Sequence, residues 1–226
     1  MVNWIYDVSP GRCAALVCDM WDRHWCAAAS RRVDAMVPRM NGTLDALRRA
    51  GVAVIHSPSD TMAAYADAPQ RARMRALPSI QPPTELAVDA PPLPIDDSDG
   101  GCDSGQTPYK AWTRQHPALA IDDGDVISDS GGEIYAFLSA KGIDHLVIMG
   151  VHTNMCVLGR SFGIRQMTRW GIRCMLVRDL TDAMYNPERP PHVSHDRGTQ
   201  LVVEHIEAYW CPTLLSEALI AAGSGA

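Results

Sequence analysis

VIMGVHTNMC, residues 147–156, is the stretch from which the rest of the chain can be read. Its first half is a short apolar run with β-branched residues that stops at Gly150. A helical pattern takes over at Asn154 and runs to Trp170. An apolar strand feeding a helix through a glycine break is one βα unit. Cys156 falls in the first turn of that helix. Backbone N–H groups there lack an intrahelical acceptor, and the positive end of the helix favours a thiolate. The same N–H groups suit an oxyanion formed when the sulfur attacks a carbonyl.

The same alternation extends in both directions. Ala14–Cys18 and Val52–Ile55 read as strands. Between them Met40, Leu44 and Leu47 share a helical face, with Gly51 as C-cap. A helix is predicted over Met62–Ala76 and a third strand over Asp125–Ser128. Ser130 and Glu133 have capping-box spacing for a helix ending near Gly142. His145–Met149 is the fourth strand and Arg173–Val177 the fifth. A helix follows over Thr199–Tyr209, then a short sixth strand at Pro212–Leu215 and a C-terminal helix. Repeated βα units predict an α/β fold: a doubly wound, mostly parallel sheet with helices on both faces. Ligands of such sheets bind beyond the carboxyl ends of the strands.

One segment departs from this rhythm. Prolines 78, 82, 83, 91, 92, 94 and 108 crowd it, and DDSDGGCDSG lies inside it. The excursion, about residues 78–118, is too long for an ordinary connection and suits a lid, a subunit contact or a mobile loop. Because strands and helices resume after it, residues 1–226 are read as a single domain.

Composition excludes several classes of function. Apolar residues make up 46% of the 226, which argues against disorder. The formal net charge is −6 with no basic cluster, so nucleic acid is not an expected partner. No apolar run approaches a membrane span, and the N-terminus lacks a leader pattern, so a cytoplasmic protein without membrane partners is expected. The seven cysteines are odd in number and irregularly spaced, which fits free thiols in a reducing compartment. No CxxC pair suggests a structural zinc cluster.

The second strand end with chemical content is LVCDMWD, residues 16–22. In a parallel sheet Asp19 faces the same crevice as the end of the fourth strand. A carboxylate there can take the Cys156 proton and return it to a leaving amine. Either residue alone has a plain structural explanation: a buried small hydrophobe for the cysteine, a turn residue for the aspartate. Their combination points to a hydrolase.

ALVCDMWD and GVHTNMCVLGRSFGIRQM resemble the first-strand and nucleophile segments of the isochorismatase-like cysteine hydrolases. That family includes nicotinamidases, N-carbamoylsarcosine amidases and ureidoacrylate amidohydrolases. Its nucleophile segment usually has the form GVxTNxCVxxTAxxAxxxG. LVRDLTDAM and CPTLLSEAL are similar to the later strand segments, and the likeness spans most of the chain outside 78–118. The resemblance implies a six-stranded sheet, a homo-oligomer (dimer or tetramer), Asp19 as base and Cys156 as nucleophile. It also implies a cis peptide near Val151–His152, with the backbone N–H groups of His152 and Cys156 as oxyanion donors.

The sequence departs from the family at its third catalytic residue, a Lys ending the third strand. Asp129 occupies that place here. Lys110 and Arg114 lie upstream in the excursion; Arg114 is the favoured replacement, with a solvated surface charge as the plain alternative for both. The Asp-x-His metal element of nicotinamidases is also missing, since Asp60-Thr61-Met62 has no His. No cofactor is therefore expected, although Asp22, His24 and His56 follow strand ends and would suit zinc if they converged. Trp21, His24, Trp25 and His152 are the expected substrate contacts. The expected activity is cysteine-dependent cleavage of a C–N bond (amide, imide or carbamoyl) in a small molecule through a thioester. The alternatives are a vinyl-ether hydrolase of the isochorismatase type and a non-catalytic ligand-binding member of the fold.

Overall fold

The computed structural model describes residues 8–223; part of the N-terminal stretch read for a leader lies outside them. β1 (Cys13–Cys18), β2 (Ala53–Ser57), β3 (Val126–Ile127), β4 (His145–Val151), β5 (Arg173–Asp182) and β6 (Thr213–Leu214) form one sheet in the order β3-β2-β1-β4-β5-β6. Every strand pair is parallel. The predicted doubly wound α/β architecture is thus present.

The two faces follow from strand alternation. Leu16, Ile55 and Ile148 share one face, where they pack with Ile134 and Phe137 of α3 (Gly131–Lys141), Ile164 of α4 (Ile164–Arg169) and Val202 of α5 (His195–Tyr209). Ala15, Val17 and Val147 point the other way, onto Val37, Met40 and Leu44 of α1 (Ala27–Arg49) and Leu219 of α6 (Ser216–Gly223). Burial on both faces explains why β1 and β4 are buried at every residue and read as continuous apolar runs. Since β1 lies between β2 and β4, the chain reverses its winding there. That reversal opens a crevice beyond the carboxyl ends of β1 and β4.

Several expected boundaries shift, each for a local reason. The helix expected over 62–76 divides into a 3₁₀ turn, Met62–Tyr65, and α2 (Pro69–Arg75). Pro69 disfavours helical backbone at Ala68 and opens α2 itself, where its missing N–H costs nothing. The helix expected over 154–170 divides into a π-helical turn, Thr153–Val157, and α4, with Gly163 extended between them. β5 continues past its predicted end through a register shift opposite Ile148 and Gly150. α5 starts at His195, four residues before the expected Thr199, behind the Ser194 cap, whose side chain accepts the Arg197 N–H.

The proline-rich excursion forms no regular element between Leu77 and Asp125, yet it is packed onto the body. Ile95, Cys102, Ala111 and Leu119 are buried, and Gln115 bridges to Trp21. Among the described residues no helix is long and apolar enough to cross a membrane.

Candidate active site

β1 and β4 run so close at their carboxyl ends that Cys18 pairs with Gly150. A Cβ on residue 150 would sit 2.0 Å from the Cys18 carbonyl oxygen, and its φ is +112°, so only glycine fits. The chain then passes through a cis peptide between Val151 and His152, as the resemblance implied.

Asp19 leaves β1 with φ +46°, a region sparsely used by residues other than glycine, and its side chain is fully buried. Two donors converge on the carboxyl group: Ser59 N–H donates to Oδ1 at 2.6 Å and Arg160 Nε to Oδ2 at 3.2 Å. The Cys156 thiol lies near enough that each of the two groups acts on the other's protonation. Acid group and sulfur, 137 positions apart by their numbers (156 − 19), therefore share one crevice.

Cys156 sits in the π-helical turn, in which Val157 N–H donates to His152 O at 3.1 Å. Arg160 N–H donates to Cys156 O at 3.0 Å, so the next turn brings the guanidinium back over Asp19. Arg160 also meets Asp60 Oδ2 at 3.3 Å, and Asp60 N–H is held by Asp129 Oδ2 at 3.0 Å. Lys110 Nζ donates to the Asp60 carbonyl at 3.0 Å.

Charge and burial set the protonation of this group. Burial pushes the Cys156 thiol up to about 12, and the negative charge of Asp19 adds to it; Arg160 and the His152 N–H pull the other way. The expected thiolate-favouring helix start is thus outweighed by desolvation, and the resting sulfur carries its proton. Burial also raises Asp19, against the lowering by Arg160, Cys156 and Ser59. Burial lowers Arg160, but Asp19, Cys156 and Asp60 more than offset it, so the guanidinium stays charged.

The cation beside Asp19 belongs to Arg160 and not to Arg114. Arg114 is exposed, and its backbone binds Asp22 through both N–H and C=O. Arg160 lies outside the excursion, in which the sequence reading places the cation. The available signal was that the family pattern has Thr at position 160 and Lys at position 129, where this chain has Arg and Asp. Where the family pattern places a lysine after the third strand, this chain places an arginine in the turn after Cys156.

Trp21, His24 and His152 line a small cavity that reaches Asp19, together with Asp22 and Val151; Cys156 is not among the lining residues. Trp21 stacks on Trp112 at 4.2 Å between ring centres, and its indole N–H is used by Ser59 O at 3.1 Å. His24 meets His152 edge-on at 4.8 Å. Burial lowers both imidazoles, to about 4 and about 3, so both are neutral. His152 Nε2 is buried with no hydrogen-bond partner. Trp25 is not among the lining residues but meets His24 at 5.1 Å between ring centres and packs on its other side against Cys26, Cys102 and Met184.

The three metal candidates do not converge. His56 is buried with its nitrogens bound to Gln115 and Asp125 at 3.0 and 3.1 Å. Asp22 accepts from Thr113 N–H and Oγ1 at 2.9 and 2.6 Å. Among the described residues no three His, Cys, Asp or Glu side chains are grouped to hold a metal ion. Glu133 serves the start of α3 as its spacing implied: its N–H donates to the Ser130 side chain, and its carboxylate pairs with Arg71 and Ser128.

No family model matches the sequence, and no curated protein matches it. Solved structures do match the fold. A cysteine hydrolase from Pseudomonas syringae pv. phaseolicola 1448A aligns over 97% of this chain and 96% of its own, with a TM-score of 0.64 and 19% identity. An isochorismatase from Pseudomonas putida KT2440 aligns over 95% and 93%, with a TM-score of 0.55 and 14% identity. A ribonuclease from Caenorhabditis elegans aligns over 97% and 84%, with a TM-score of 0.57 and 14% identity. The chain has the isochorismatase-like fold, and that fold carries more than one activity.

Proposed function

We propose that this chain is a cysteine hydrolase of the isochorismatase-like family that cleaves a C–N bond of a small molecule. The observation that carries the reading is a single buried carboxyl group, Asp19, bonded to the guanidinium of Arg160 and close enough to the Cys156 thiol for each to act on the other's protonation. A buried acid beside a half-buried thiol has a plain chemical use, which is to move that thiol's proton when an electrophile arrives.

Asp19 takes the Cys156 proton as the sulfur attacks the carbonyl carbon. The N–H groups of His152 and Cys156 receive the oxyanion. Asp19 passes its proton to the departing amine, leaving a thioester. It then accepts a proton from the water that attacks the thioester and passes that proton to the Cys156 sulfur as the C–S bond breaks, so the acid product leaves and the thiol is restored. Arg160 favours the ionised form of Asp19 against the raising effect of burial, from a different place in the chain than the family lysine. The three-layer fold and the motif GVHTNMC support this reading over a binding role, since a pocket needs neither a buried base nor a thiol beside it.

The test is a panel of small amides, ureas, carbamoyl compounds and cyclic imides, with the wild type and Cys156→Ala run side by side. The proposal expects turnover of at least one class by the wild type and none by the variant. Equal hydrolysis by both proteins overturns the covalent route.

A further inference from the structure

Cys26 and Cys102 are both buried, and neither belongs to the mechanism above. Cys26 caps the N-terminus of α1, and Cys102 lies in the acidic-glycine part of the excursion, 76 residues away. Their sulfurs are in direct contact at 2.6 Å with no group between them. Polar neighbours surround the pair. Ser104 Oγ is 3.3 Å from the Cys26 sulfur and 3.6 Å from that of Cys102, and Gln106 Oε1 is 3.6 Å from the latter. Trp25 and Met155 pack on the same cluster, which places the pair against the residue next to Cys156.

We propose that Cys26 and Cys102 form a reversible disulfide that fastens the excursion to the start of α1 beside the active site. Hydrogen peroxide is the oxidant, because a small molecule can reach so enclosed a pair. The Cys102 sulfur attacks peroxide first, giving a sulfenic acid and water. The Cys26 sulfur then displaces the hydroxyl as a second water, so two thiols and one peroxide yield one disulfide and two waters. Cys102 is suited to the first step. Burial raises its thiol, but hydrogen bonds from Cys26 and Ser104 and from the backbone N–H groups of Ser104 and Gln106 lower it further, to a value below that of an ordinary thiol.

The body is already shaped to receive the fastened excursion. A Cβ on Gly101 would fall 2.3 Å from the Met184 carbonyl oxygen, so the chain beside Cys102 lies directly on the segment after β5. Asp103 accepts from Arg32 Nη1 at 2.8 Å, and Asn154 donates to Asp97 at 2.7 Å, tying the same stretch to α1 and to the nucleophile turn. A covalent link here would close a loop containing α1, β2 and α2 and restrict the unfolded chain accordingly.

The experiment uses the full chain carrying Cys156→Ala, so that the proposed nucleophile does not consume peroxide, alone and with Cys102→Ser or Cys26→Ser added. After exposure to peroxide, free thiols are alkylated in denaturant, disulfides are reduced, and the released thiols receive a second label. The proposal expects the second label on Cys26 and Cys102 together and a melting temperature raised by about 5–10 °C. Dithiothreitol reverses both changes, and neither occurs in the Ser variants. First-label alkylation of both thiols, a Cys102 sulfinic acid in place of the disulfide, or an equal rise in melting temperature in a Ser variant would overturn it. Because no substrate is needed, failure here leaves the hydrolase reading untouched.

Discussion

Asp19 touches more of the proposed chemistry than any other residue, and its neighbours can be removed one at a time. Cys156→Ala is expected to lower turnover at least about 10⁴-fold while leaving the melting temperature near that of the wild type. Arg160→Ala removes the guanidinium that favours ionised Asp19, and kcat/KM should fall about a hundredfold. Arg160→Lys keeps the charge and should recover part of that loss, whereas equal activity in all three proteins would remove Arg160 from the mechanism. Asp19 and Cys156 were legible because each ends or follows an apolar strand and each matches a motif. Arg160 was not, because nothing in a run of letters shows that a π-helical turn carries position 160 back over the end of β1. WDRHWC puts both tryptophans near Asp19 in sequence; Trp21 lines the cavity that reaches Asp19, and Trp25 packs on the lining residue His24.

Among the elements, β4 runs two residues past its expected end at Met149, through Gly150 to Val151. Its run of buried residues pairs with β1 on one side and β5 on the other, and Gly150 permits the close approach at its end. Gly150→Ala should cost more than about 3 kcal/mol, measured by urea unfolding, because both a steric clash with Cys18 O and a positive φ oppose the new Cβ. A change below about 0.5 kcal/mol would show that β1 and β4 are not packed as described. Strand existence and order were legible from apolar runs between glycine and capping signals. Boundaries were less so. β3 and β6 have only two paired residues each, and β5 outlasts its apolar run by crossing a bulge. Periodicity alone also joined pieces that Pro69 and Gly163 separate.

At the scale of the whole molecule, charged clusters tie the outer elements to the sheet. Arg32 bridges Asp103 of the excursion and Asp182 at the end of β5, and His195 Nε2 meets Asp182 at 2.8 Å. Burial lowers His195, but the bond to Asp182 and its charge outweigh this and leave the imidazole above its ordinary value. The stabilisation from its protonated form is complete below the unfolded value near 6.5 and is lost as pH rises through the higher folded value. The melting temperature should therefore drop by a few degrees as pH climbs past neutrality, and His195→Asn should flatten that part of the curve. An unchanged slope in the variant would assign the loss to other groups. On the acid side, burial raises Asp125, but hydrogen bonds from His56 and Arg48 more than compensate and hold it low. Its contribution is present above the unfolded carboxylate value and disappears as pH falls below about 4. None of these contacts was legible in the sequence, since the partners are separated by long stretches of chain and carry no motif.

The account rests on the proton that Asp19 takes from Cys156, and the alkylation rate of Cys156 against pH reads that proton directly. In the wild type, iodoacetamide should modify Cys156 slowly at neutral pH and faster only as the pH approaches that of a thiol titrating near 12. Asp19→Asn removes the negative charge that raises the thiol, so its profile should move to lower pH and its rate at pH 7.5 should rise, even though turnover is lost. Superimposable profiles for the two proteins, with the thiolate already formed at pH 7, would contradict the account.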